Sequence, residues 1–180
     1  AEPLGADFHI GLDAAHDHRV ADLQPPSASA AIGAQAPSDL VRNMAMNPGI
    51  DVMETRKRDW RGAEIPAAGG TGNARSVAEI HTILANGGVA RGKRFLSEAG
   101  CRKALDCQVE GTDLILGIPV RFGMGFGLAG GMTPLPNESS CYWGGYGGSL
   151  ALIDLDKKTS FGYAMNKMGG GTTGDTRAFS

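Results

Sequence analysis

The chain has 180 residues, a mass of 18.6 kDa, 42% hydrophobic residues and a formal net charge of −2. That is enough apolar material for one domain with a buried core and too much for a disordered chain. The slight acidity argues against a nucleic-acid surface, which needs a basic excess. No apolar run reaches the roughly 18 residues of a membrane-spanning helix. Glycine supplies 28 residues. That is about twice the usual ~7% share, and the glycines fall in clusters without a three-residue period, so they mark tight turns and close backbone approaches.

Glu2-Pro3-Leu4-Gly5 is a turn signal, and an extended run over Asp7 to Leu12 follows it. A polar stretch then carries His9, His16 and His18 among Asp7, Asp13 and Asp17. Residues 25–37, rich in Pro, Ala, Ser and Gly, read as a loop or surface linker. Ser38 or Asp39 caps a short helix to about Asn47, ended by Pro48-Gly49. Arg56, Lys57, Arg58 and Arg61 surround Trp60 and are offset by Asp51, Glu54 and Asp59, so this cluster reads as a solvated face. A glycine loop, Gly69 to Gly72, feeds a helix whose cap is Ser76, with Glu79 at capping-box spacing, or Asn73. Val77, Ile80 and Leu84 recur at helical spacing until Gly87-Gly88. A second helix runs from Ser97 to about Asp106 with Cys101 and Leu105 on one face. The last third changes character. Glycine alternates with larger residues over Val120 to Leu128, and strands follow from Tyr142 to Asn166, including a hairpin across the polar turn Asp154 to Lys158. Helix and loop first, antiparallel sheet last, predicts an α+β fold.

Most chemical motifs are missing or incomplete. Gly123-x-Gly125-x-Gly127 lacks dinucleotide spacing and no phosphate-loop lysine follows Gly69 to Gly72, so no cofactor is expected. His16-x-His18 offers two metal ligands without H-E-x-x-H, and surface histidines are the expectation, with no metal. Gly148-Ser149-Leu150 is no nucleophile elbow, because a strand follows where a helix should. Cys101, Cys107 and Cys141 cannot all pair, and ordinary, mostly buried thiols in a reducing, cytoplasm-like compartment are the expectation; the compartment itself stays open.

The informative segment is Tyr142-Trp143-Gly144-Gly145-Tyr146-Gly147-Gly148-Ser149, read as opening a strand that ends in Leu150-Ala151-Leu152-Ile153-Asp154. A strand that opens on residues without side chains lets a ligand lie against its backbone and leaves N–H groups to point at developing negative charge. The same glycines also suit a plain sheet bend, and Trp143 also suits core packing.

This segment resembles the last motif of the serine β-lactamase and penicillin-binding-protein superfamily, in its esterase-like branch that includes the family VIII carboxylesterases. Trp143-Gly144-Gly145 matches the W-G-G form of that motif. Glu2-Pro3-Leu4-Gly5, Ile65 to Ser76 and Phe122-Gly123-Met124-Gly125-Phe126 resemble three further family stretches in the right order. The resemblance implies a β-lactamase/DD-peptidase-like fold and an acyl-serine mechanism on a small-molecule ester. It places the backbone amide of Tyr146 in the oxyanion hole and Trp143, Gly144 and Gly145 against the substrate. Trp143 in place of lysine removes a cation, which implies neutral short-chain acyl esters. No serine has lysine three residues on, and no Tyr-x-Asn or Tyr-x-Ser occurs. The chain starts Ala1-Glu2-Pro3 without Met and ends at Ser180 after a glycine cluster. The expectation is therefore a partial domain over 1–180, the C-terminal portion of such an enzyme, lacking the nucleophile-bearing part and the final helix and inactive alone. A non-catalytic binding or structural module on the same scaffold is the rival reading. The sequence is silent on oligomeric state.

Overall fold

The computed structural model describes residues 1–27, 38–49, 51–131, 133–171 and 174–179, so most of the loop expected at 25–37 lies outside the described residues. Strand β1 (Phe8–Ile10) and helices α1 (Asp39–Met46) and α2 (Arg58–Gly62) come first, and strand β2 (Gly70–Gly72) pairs antiparallel with β1. Helix α3 (Ala74–Ala85), the small hairpin β3 (Val89–Ala90) and β4 (Lys93–Arg94), and helix α4 (Glu98–Arg102) follow. The rest is strand: β5 (Val109–Thr112), β6 (Pro119–Phe122), β7 (Gly127–Leu128), β8 (Ser140–Gly144), β9 (Leu150–Asp154) and β10 (Thr159–Tyr163). These six form one antiparallel sheet in the order β10-β9-β8-β7-β6-β5. The expected α+β order holds. Among the described residues, no helix is long and apolar enough to cross a membrane.

Local rules explain the helix starts. Ser38 caps α1 through its Oγ, which accepts from the Val41 amide. Asn73, not Ser76, caps α3: its side chain accepts the Ser76 N–H at 2.9 Å, so Ser76 is already inside the first turn and buried. Ser97 starts α4, which is shorter than expected and tightens into a 3-10 turn over Lys103–Leu105.

The core lies where α3 and α4 cover one face of the sheet. Register places Leu128 opposite Cys141 and Cys141 opposite Ile153, so three side chains line up across β7, β8 and β9 on one face. Leu84, Ala85, Cys101, Ala104 and Ala151 pack with them. Helix α3 also runs close over β10, because β10 presents small residues to it. Ser160 Oγ donates to the Ala78 carbonyl at 2.8 Å. A side chain at Gly162 would put its Cβ 2.5 Å from Ala74 O and 2.9 Å from Ala78 N.

The arginines do more than expected. Arg58 donates to Asp17 at 2.6 Å and also to the Leu12 carbonyl, Arg61 pairs with Asp22 at 3.0 Å, and Arg56 donates to the Leu23 carbonyl at 3.1 Å. The basic cluster therefore ties the 12–23 segment to α2 rather than facing only solvent. Its partners stand tens of residues away in sequence, where a local charge count pairs the arginines with their neighbours instead.

Asp154 holds the end of the β9–β10 hairpin to the start of β8. Its carboxylate accepts the Asp156 and Lys157 amides at 3.0 and 2.8 Å and the Asn137 side-chain amide at 2.6 Å. Burial alone pushes the Asp154 pKa up. The Lys157 amide, the Asn137 side chain, the Asp156 amide and the Ser140 hydroxyl outweigh it, and the net shift is downward.

Gly162→Val should lower the free energy of unfolding by about 1–3 kcal/mol in urea melts, because the obstructing atoms are helix backbone. A loss under about 0.5 kcal/mol, the range of a surface change, would contradict the close approach. A carboxylate with a depressed folded pKa stabilises above the unfolded value, about 3.9, and that stability fades as pH falls through the folded value. Asp154→Asn should therefore cost roughly 1.5–3 kcal/mol at neutral pH and flatten the acid limb of the stability–pH curve. An unchanged acid limb in the variant would refute the role given to Asp154.

Candidate active site

The open part of the sheet lies along β8. Strand β7 pairs with β8 at two positions only, Gly127↔Tyr142 and Leu128↔Cys141. The chain then turns: Gly123 donates to the Phe126 carbonyl at 2.8 Å and closes the β6–β7 turn. From Trp143 onward, β8 has β9 on one side and, among the described residues, no strand on the other.

Antiparallel alternation fixes which groups meet that open side. Gly145 donates to the Ser149 carbonyl at 2.8 Å, in step with Trp143↔Ala151 and Cys141↔Ile153. Backbone groups of Cys141, Trp143 and Gly145 are thus used on the β9 side, and those of Gly144 turn to the open edge, where the strand ends and Tyr146 follows in the turn. The strand ends in a type II turn over Gly145 to Gly148, closed by the Gly148 amide on the Gly145 carbonyl at 3.0 Å. Its third position needs a positive φ, and Gly147 supplies +93°. The Gly147 amide bonds the Gly171 carbonyl at 2.9 Å. Of the four turn amides, Tyr146 alone has no hydrogen-bond partner among the described residues.

The turn is braced from behind by residues 165–177. The Gly169 amide donates to the Gly147 carbonyl at 2.7 Å. A side chain at Gly147 would collide with Met168 and Met165, and one at Gly148 with Asp175. Asp175 is held by Arg177, whose Nε donates to it at 2.7 Å and whose guanidinium also reaches the Lys167 carbonyl at 2.9 Å. Arg177 keeps the Asp175 carboxyl below its ordinary pKa. None of these bracing residues stands out in the sequence beyond the glycine run at 169–171.

Trp143 is 44% exposed, which is not core packing. Its indole meets the Phe122 ring edge to face, with centroids 5.5 Å apart. The sequence marks Phe122 only as the start of a family-like strand, and it is the β6–β7–β8 pairing that brings it to Trp143. Gly144 is buried, and Gly145 and Tyr146 are half-buried. The four expected site residues thus lie on one strand end and its turn.

The other candidates stand elsewhere. His9 Nε2 lies 3.1 Å from Asp7, its ring is 5.5 Å from that of His16, and Arg19 also pairs with Asp7. Among the described residues, no group of three or more His, Cys, Asp or Glu could hold a metal ion. All three cysteines are free. Burial pushes the Cys141 thiol up to about 12 and raises that of Cys101, which suits inert core residues. Cys101 and Cys141 are buried and Cys107 is exposed, in line with mostly buried thiols.

Comparison with known proteins gives consistent relatives. The Beta-lactamase family model matches residues 1–179. The Esterase/beta-lactamase LipL of Mycobacterium tuberculosis (strain ATCC 25618 / H37Rv) is 30% identical over 183 aligned positions, covering 93% of this chain and 41% of that protein. The crystal structure of a family VIII carboxylesterase superposes with a TM-score of 0.87 at 34% identity, over 99% of this chain and 47% of its own. A penicillin-binding protein homologue from Caulobacter crescentus gives 0.83 at 32%, over 98% and 47%. The chain thus spans less than half the length of each of these relatives. Its helix-flanked antiparallel sheet is part of the β-lactamase/DD-peptidase-like fold, and the chain belongs to the beta-lactamase family.

Proposed function

We propose that this chain is the C-terminal part of a serine hydrolase, an esterase acting on short acyl esters through an acyl-serine intermediate. In this reading the open edge of β8 is one wall of the acyl pocket. The Tyr146 amide is one oxyanion donor, Trp143 with Gly144 and Gly145 lines the substrate, and no cofactor takes part. A serine outside this chain attacks the ester carbonyl carbon, and its proton passes to a basic partner also outside the chain. The carbonyl oxygen gains the negative charge. The alcohol leaves with a proton, and water then releases the acid. The similarity to an esterase/beta-lactamase and to a family VIII carboxylesterase supports the reaction class.

The observation that carries the proposal is the unpartnered Tyr146 amide at the open strand edge, on a turn whose other amides are engaged. An oxyanion donor must be aimed before the charge appears, so a braced turn with one free N–H fits the need better than a flexible loop. An exposed tryptophan in the family's lysine position leaves the pocket uncharged on this side, which favours neutral esters.

The type II turn allows a clean test. Position two of such a turn accepts proline, which removes the N–H while keeping the backbone shape. In the complete hydrolase, Tyr146→Pro should fold and lose about 10²–10³ in kcat on p-nitrophenyl acetate. Tyr146→Ala, which keeps the amide, should stay within several-fold. Equal activity in the two variants would remove Tyr146 from the oxyanion hole. The 180-residue chain alone should leave p-nitrophenyl acetate at the level of its Trp143→Ala variant. Turnover well above that level would contradict the assignment of the nucleophile to residues outside the chain.

A further inference from the structure

The β5–β6 hairpin carries a groove that the catalytic reading does not use. Its volume is about 230 Å³, and its apolar lining comes from Val109, Leu114, Val120 and Phe122. Register explains the lining. Val109 stands opposite Phe122 and Gly111 opposite Val120, so these four share one face of the hairpin. A side chain at Gly111 would meet nothing within 4 Å, which leaves that face open between the two valines. The charged residues at the groove are already engaged. Glu110 lies 3.6 Å from Arg121. Asp113 accepts the Ile115 and Leu116 amides at 2.8 and 2.7 Å. Apart from Thr112, the side chains that remain for a ligand are apolar. Leu114 at 77% and Val109 at 55% exposure are costly surfaces to leave in water unless something apolar covers them.

The groove does not stand apart from the strand edge described above. Phe122 lines it and also meets the Trp143 indole edge to face. An apolar path therefore runs from the open end of β8, over the Trp143–Phe122 pair, onto the hairpin. We infer that this groove is an extended subsite that takes the apolar arm of an ester, an alkyl or aromatic group held away from the reacting carbonyl. The inference rests on the proposed esterase reading for its ligand class. The groove offers no charge to a carboxylate or phosphate, and its place beside Trp143 identifies the ligand as the substrate's own arm. That arm is either the alcohol or the acyl side of the same ester, and two probe series separate them.

The test is binding to the complete hydrolase, its nucleophilic serine replaced by alanine so that the esters are not turned over, followed by NMR. One series is methyl, butyl and hexyl acetate, which lengthens the alcohol side. The other is methyl acetate, butyrate and hexanoate, which lengthens the acyl side. The expected result is saturable shifts at the Val109, Leu114 and Val120 methyls and at the Trp143 indole N–H. Affinity should rise about twofold to fourfold for each added CH₂ as apolar area is buried. The series that also moves the Tyr146 amide identifies which side of the ester lies in the groove. Leu114→Asp should abolish the length dependence, and its exposed position spares the fold. Val109→Thr, which keeps the side-chain shape, should weaken hexyl binding twofold or more. Shifts that do not grow with chain length, that spread over the whole surface, or that survive Leu114→Asp would overturn the subsite. Groove binding with an active Tyr146→Pro enzyme would sink the oxyanion assignment and leave the subsite standing. The reverse result would sink only the subsite.

Discussion

A two-residue strand decides the shape of the site. Strand β7 pairs with β8 only through Gly127 and Leu128, because the chain turns back at Gly123 to Phe126. A longer β7 would pair with Gly144 and run a strand up to the turn that carries Tyr146. The early turn leaves that end of β8 open while its other edge is fully paired to β9. An open edge inside a sheet is otherwise a liability for association. Here it sits beside an exposed indole and at the end of a strand whose remaining contacts are core.

Rigidity is the second requirement. The turn after Gly145 has few side chains of its own and is held by its surroundings. Gly147 is bonded through both its amide and its carbonyl, and Met165, Met168 and Asp175 fill the space behind the turn. The Asp175–Arg177 pair closes that backing and is tied to Lys167. An amide fixed this way loses little freedom when a charge develops beside it, which is how preorganised donors contribute to a rate. The core supports the same strand from the helix side, where Cys141 and Ile153 are fully buried beneath α3 and α4. A cavity under β8 would therefore be felt at the turn as well as in stability.

What was legible in the sequence is local. Helical spacing from Val77 to Leu84, the start of α1 at Ser38 or Asp39 and the hairpin across Asp154 to Lys158 all depend on residues near one another, and each lies where the sequence places it. The glycine segment does not: instead of opening the strand that ends in Leu150 to Asp154, it closes β8 at Gly144 and turns over Gly145 to Gly148 before β9 runs back. The cap of α3 was ambiguous, since Asn73 and Ser76 both satisfy capping rules, and the geometry chose Asn73. What was not legible is long-range. The open edge depends on how far β7 extends along β8. The Trp143–Phe122 contact depends on the pairing of three strands. The arginines near Trp60 have partners in the 12–23 segment, which charge counting within their own stretch misses. The backing of the turn comes from residues 165–177, whose only local signal is glycine. Strand pairing and ion pairing across the chain carry the site, and one sequence does not display either.

The most direct measurement is amide hydrogen exchange at single-residue resolution over Gly145 to Gly148. The account predicts that Tyr146 exchanges close to the rate of an unstructured amide. Gly145, Gly147 and Gly148, bonded to Ser149, Gly171 and Gly145, should exchange far more slowly. A Tyr146 amide as protected as these neighbours would show that the group is already occupied, and the open-edge account would fail.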